Sequence, residues 1–141
     1  MLKFIKIKIG TKNFNSLIQN FCESVIFTTE YPKCQINIAI NILSVDNETS
    51  LLCSVFNAIM LCLALSGISI KIFSLSSYYL NIACNFKIIL SFDAHNLKEI
   101  LNINTNKPLK KEEYRNIITK SQEEVRELFD FYRKIMLKEV L

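Results

Sequence analysis

Glycine and proline are nearly missing from this chain, two of each in 141 residues, and tryptophan is missing altogether. So few turn formers exclude a fold of many short strands and favour a few long elements. The five cysteines, at 22, 34, 53, 62 and 84, are odd in number and include no C-x-x-C pair. That pattern fits neither a zinc-ligand set nor a closed disulfide framework, and buried reduced thiols are the expected state. Cys53 and Cys62 stand nine residues apart on one predicted helix, on opposite sides of it, so they share no metal. The opening MLKFIKIKIG lacks the continuous apolar run and small-residue cleavage site of a secretory signal, which predicts a protein kept inside the cell. The formal net charge of +4 is too small to demand a polyanionic partner.

What is present is apolar. Half of the residues are hydrophobic and ten are phenylalanine, enough for the core of one domain, 1–141. The organising stretch is 46–71, DNETSLLCSVFNAIMLCLALSGISIK, with no charge between Thr49 and Ile70. Apolar residues on every side of the wheel predict a helix of about four turns buried on nearly all faces and stopped at Ser66-Gly67. A bilayer span is the rival reading by length. Ser54, Asn57, Ser66, Ser69 and the Ser-Gly break oppose it, because lipid offers those groups no partners.

In chain order, Phe4 to Ile9 alternates isoleucine and lysine as a half-buried strand. A helix capped by Asn13 or Asn15 runs to about Thr28, with Leu17, Phe21 and Val25, joined by Ile18, facing inward. Gln35 to Leu43 alternates as a strand, and further strands are predicted at Ile68–Ser74, Leu80–Cys84, Phe86–Phe92 and Ile100–Asn104. From Pro108 one long helix presents Tyr114, Ile118, Val125, Leu128, Tyr132 and Ile135 as a stripe, with acids near its start and bases near its end. The predicted architecture is an α/β two-layer sandwich: helices on a mixed sheet, with a buried central helix and a long C-terminal one.

Few residues stand out for chemistry. Asp93 and His95 have the types of an acid–base couple, but their turn position and the lack of a second histidine favour a solvated connection. Asp46 and Glu48 pair carboxylates ahead of a helix, where a cap is the commoner role than magnesium binding. Lys6 and Lys8 form a basic strip that either tracks an RNA backbone or guards a sheet edge. Phe131, just off the stripe of the last helix, is the residue expected to meet a neighbouring protein.

YPKCQINIAINILSVDN followed by ETSLLCSVFNAIMLCLALSGISIK resembles the core of the RNase PH family. There a strand of the form P-R-x-x-I-x-I-x-V-x-V leads through an A-D-G-G-T-R turn into a helix N-A-A-x-x-A-L-x-D-A-G-I-P. Pro32, Lys33, Ile36, Ile38, Asp46, Asn57, Ala58, Leu63, Gly67 and Ile68 fall on that pattern. Ser50-Leu51-Leu52-Cys53 and the final helix are similar to one eukaryotic branch, the ring subunits of the RNA exosome. The resemblance implies a ribosomal-protein-S5-domain-2-like fold and a ring of related subunits, with cap subunits, around a channel for single-stranded RNA. It further implies residence in nucleus, nucleolus and cytoplasm, with no cofactor, metal or membrane.

Catalytic members hold inorganic phosphate on the glycine-rich turn, at a helix amino end. Here those positions are Asn47, Glu48, Thr49 and Ser50, without glycine or arginine, and only Asp46 is left of the acidic machinery as a vestigial catalytic position. The arginine-bearing β-rich half that normally precedes is not matched by this sequence. The expectation is a non-catalytic subunit. The alternatives are a residual phosphorolytic exoribonuclease using Asp46 and a ribosome-associated α/β protein.

Overall fold

The computed structural model describes residues 5–9 and 15–140, with 5–9, 139 and 140 described by backbone alone. The elements are β1 (Ile5–Ile9), α1 (Asn15–Val25), β2 (Ile36–Ile40), α2 (Glu48–Ser66), β3 (Ser74–Asn81), β4 (Phe86–Asp93), β5 (Asn96–Thr105) and α3 (Lys111–Val140). The fold is α+β, as expected for an RNase PH-like chain, but the described strands form two sheets instead of one mixed sheet. β1 and β2 pair in parallel, while β3, β4 and β5 make an antiparallel sheet with β4 in the middle.

α1 buries Ile18, Cys22 and Val25, so Ile18 and Val25 face inward as expected while Cys22 takes the place expected of Leu17 and Phe21. Leu17 is consequently 40% exposed, and Phe21 lies at the margin of the core, stacked on Phe56 at 4.5 Å. The helix stops at Val25, short of Thr28, because the backbone there is captured by another segment. Phe27 N–H donates to Ser69 O at 3.0 Å and Lys71 N–H to Val25 O, leaving a single bridge between Ile26 and Ile70. The alternating Ile68–Lys71 therefore makes no strand: its partner is the end of a helix, which offers one bridge and no ladder.

α2 ends as predicted, with Gly67 at φ 77°, a left-handed cap that L side chains adopt only with strain. Its burial is one-sided. Leu52, Cys53, Val55, Phe56, Ile59, Met60 and Leu63 are buried, while Ser54, Ala58, Cys62 and Leu65 are exposed, correcting the expectation of enclosure on nearly all faces. By length and hydropathy α2 could cross a membrane, yet its apolar inner side is occupied by the protein's own core. Two cysteines, 22 and 53, are buried, and 34, 62 and 84 are exposed and free, so the expectation of buried thiols holds for the first two alone.

The short strand expected at Leu80–Cys84 is realised only in Leu80 and Asn81, which end β3; residues 82–85 are instead the turn into β4. Asn85 takes φ 49° there, a conformation its short amide tolerates. The sequence SLSSYYLN hides β3 because serines occupy its buried positions. Two of the three find a polar partner: Ser76 Oγ lies 2.9 Å from Ser91 Oγ, and the Ser77 hydroxyl donates to Glu124 of α3. α3 crosses the face that carries Ser77 and buries Ile117, Ser121, Val125 and Tyr132.

Candidate functional site

The resemblance directs attention to the amino end of α2, and the chain builds that end from its own polar groups. Asn47, in extended conformation, is the N-cap; its Oδ1 accepts from Ser50 N–H at 2.7 Å. The cap is therefore Asn47, and neither Asp46 nor Glu48 serves. Glu48 is the first helical residue and exposed, a favourable position because the carboxylate faces the positive end of the helix dipole. Thr49 behind it is 6% exposed.

Beside this helix end lies a cavity of about 180 Å³, bordered by Glu48, Thr49, Lys87, Asn104 and Asn106. Asn106 ties its rim together, since Lys87 N–H donates to Asn106 Oδ1 at 2.9 Å and Asn106 N–H to Lys87 O at 3.3 Å. An anion seated here would meet one lysine and one carboxylate, with one of the first-turn amides already satisfied by Asn47. The three arginines of the chain, 115, 126 and 133, all lie on α3, and none borders this cavity. Asp46 is exposed and borders none of it.

The other predicted residues are scattered. Asp93 and His95 share a turn, but the Asp93 carboxylate accepts from the His95 backbone N–H at 3.0 Å. The His95 ring stands edge-on to Phe129 at 5.4 Å, so the carboxylate shapes the turn through the backbone and does not engage the imidazole. Phe131 is 57% exposed on α3, apart from the other named residues. Lys6 and Lys8 pair through the backbone with Asn37 and Ala39 of β2, and their side chains lie outside the described residues. Among the described residues no group of three His, Cys, Asp or Glu is placed to hold a metal ion.

A polar joint that the sequence did not single out lies between α2 and β3. Asn57 Nδ2 donates to Ser76 O at 3.0 Å and Ser76 N–H donates to Asn57 Oδ1 at 2.8 Å, so one side-chain amide satisfies both outward groups of an edge residue. Cys53 Sγ also donates to Ser76 O, at 3.3 Å. Burial pushes the Cys53 thiol up to about 12, Glu124 nearby adds to the rise and the Asn57 hydrogen bond opposes it. Burial does the same to Cys22, also about 12, with Glu23 adding to it. Tyr132 is raised to about 12 by burial and then by Cys53. These groups stay protonated at neutral pH, so neither buried cysteine is a nucleophile.

Residues 8–69 match the model of the RNase PH family, described as the 3′ exoribonuclease family, domain 1. The matched stretch runs from β1 through the whole of α2 and covers less than half of the chain. It supports kinship with that family and a role related to RNA processing or degradation. No curated protein matches the chain.

Proposed function

We propose that this chain is a non-catalytic structural subunit of an RNA-degrading ring of RNase PH type, of the exosome branch that includes ribosomal RNA-processing protein 46. The carrying observation is the amino end of α2, where Asn47 and Glu48 occupy the turn that would hold phosphate and every arginine lies elsewhere. Phosphorolysis needs that anion bound as the attacking group, and a carboxylate on the same positive helix end competes with it. The subunit acts by shape: it sits beside related ring subunits and cap subunits, and single-stranded RNA passes through the channel to a separate nuclease. No cofactor, metal or membrane enters this reading, and the ring works in the nucleus, nucleolus and cytoplasm. Exposed apolar side chains, Phe131 and Leu137 on α3 and Leu43 and Val45 after β2, supply surface for neighbours.

The test is recovery of the tagged chain from its own cells. Stoichiometric recovery with other RNase PH-type subunits supports the reading. Recovery with ribosomal RNA and ribosomal proteins alone favours a ribosome-associated protein. Expressed by itself the chain is expected to be poorly soluble, with co-expressed ring subunits restoring it.

A further inference from the structure

A second cavity, larger than the one at α2, lies where the start of α3 overhangs the β3–β4 turn, and nothing in the proposed function uses it. Its volume is about 820 Å³, within the range of small-molecule sites. The sheet face under α3 explains the opening. Ser77 is small and bonded to Glu124, so the helix lies close at that level, but two and four residues on the same face presents Tyr79 and Asn81. Leu109 and the first turns of α3 roof the space without filling it.

The walls have the character of a recognition site for a flat molecule. Tyr79, 37% exposed, offers the stacking surface, with the buried Phe86 tilted 51° to it at 6.2 Å between centroids, and Ile117 and Leu109 add apolar lining. Polar groups border it at the edge. Asn81 Oδ1 accepts from Ala83 N–H, leaving the Asn81 amide N–H₂ to donate, and the Asn116 side chain has no hydrogen-bond partner among the described residues. Formal charges balance, Lys107 and Lys120 against Glu113 and Glu123, so the lining attracts no net charge. Lys107 is in addition fixed at the rim, its Nζ donating to Cys84 O at 2.7 Å.

We propose that this cleft binds a neutral planar heteroaromatic ring, a nucleobase, stacked on Tyr79 and hydrogen-bonded at its edge by Asn81 and Asn116. Aromatic faces with adaptable amide donors are how proteins hold unpaired bases without reading a long sequence. The assignment goes beyond the ring reading and needs no ring. A free nucleoside and an unpaired base of single-stranded RNA share this chemistry, and the test has an arm for each.

The experiment is equilibrium binding of adenosine and of oligoadenylate to the full chain, kept in its assembly where the isolated chain precipitates. Saturable adenosine binding is expected, weakened roughly tenfold by Tyr79→Ala and hardly changed by Tyr79→Phe, as loss of one stacking partner predicts. Tyr78→Ala, on the opposite sheet face, is expected to leave it unchanged. Asn116→Leu, at an exposed helix position, weakens binding without threatening the fold and serves where Tyr79→Ala unfolds. Tighter binding of oligoadenylate than of adenosine, with the same Tyr79 dependence, assigns the cleft to RNA; equal affinity assigns it to the nucleoside. Absence of saturable binding of either, equal loss in Tyr78→Ala, or displacement of adenosine by inorganic phosphate overturns the proposal.

Discussion

The two long sides of α2 differ more than their sequence does. Toward β3 and the core, Leu52, Phe56, Met60 and Leu63 are buried and Asn57 locks the helix to the strand edge through two hydrogen bonds. Toward β2, Ser54, Ala58 and Cys62 border a groove of about 440 Å³ shared with Ile38, Ile40 and Ile42. Both sides are apolar and uncharged, so helical periodicity alone does not say which is packed. What distinguishes them is the neighbour: β3 has a free edge that needs satisfying, whereas the short β2 does not reach across the helix.

Substitutions sharpen that contrast. Phe56→Ala removes a ring that is 5% exposed and stacked on Phe21, and is expected to cost about 3–5 kcal/mol in urea unfolding. Asn57→Ala leaves the Ser76 N–H without a partner and the Ser76 C=O with the weak Cys53 thiol donor alone, and is expected to cost about 1–3 kcal/mol, with faster aggregation as the edge is uncovered. Asn57→Asp restores the acceptor for Ser76 N–H but not the donor for Ser76 O, and falls short of wild type. Ala58→Ser, on the groove side, is expected to stay within about 0.5 kcal/mol of wild type. Equal costs on the two sides would break the comparison.

Alkaline pH probes the same buried side. Cys22 and Cys53 rise from an ordinary 9.0 to about 12, and Tyr132 from 10.0 to about 12. A raised folded value means the unfolded chain loses the proton first. The stabilisation is complete below about pH 9 and is lost as pH climbs toward 12, so the urea midpoint falls across that window. The smallest perturbation is thiol labelling: in the folded protein a bulky disulfide reagent reaches Cys34, Cys62 and Cys84, and reaches Cys22 and Cys53 only after denaturation.

The sequence announced some of these features and concealed others for identifiable reasons. β1, β2 and α3 show their period locally, α2 shows itself as an uncharged apolar run, and Gly67 marks the end of α2 in sequence as in structure. β3 was concealed because its serines are made tolerable by Ser91, Asn57 and Glu124, residues distant along the chain. The Ile68–Lys71 alternation misled because pairing depends on a partner strand, and the end of α1 supplies a single bridge. At the candidate site the types were legible and the register was not: the cap fell on Asn47, one residue beyond Asp46, since backbone entry into α2 decides which side chain reaches Ser50 N–H. The cleft beneath α3 gave no local sign, because Tyr79 and Asn116 meet only through the crossing of helix over sheet.

Amide spectra of the protein titrated with inorganic phosphate address the inert amino end of α2 directly. The account predicts no saturable shift at Asn47, Glu48, Thr49 or Ser50, and no release of nucleoside diphosphate from polyadenylate under the same conditions. Saturable shifts confined to those four amides, together with diphosphate release that Asp46→Asn abolishes, would contradict it and make the chain a phosphorolytic enzyme.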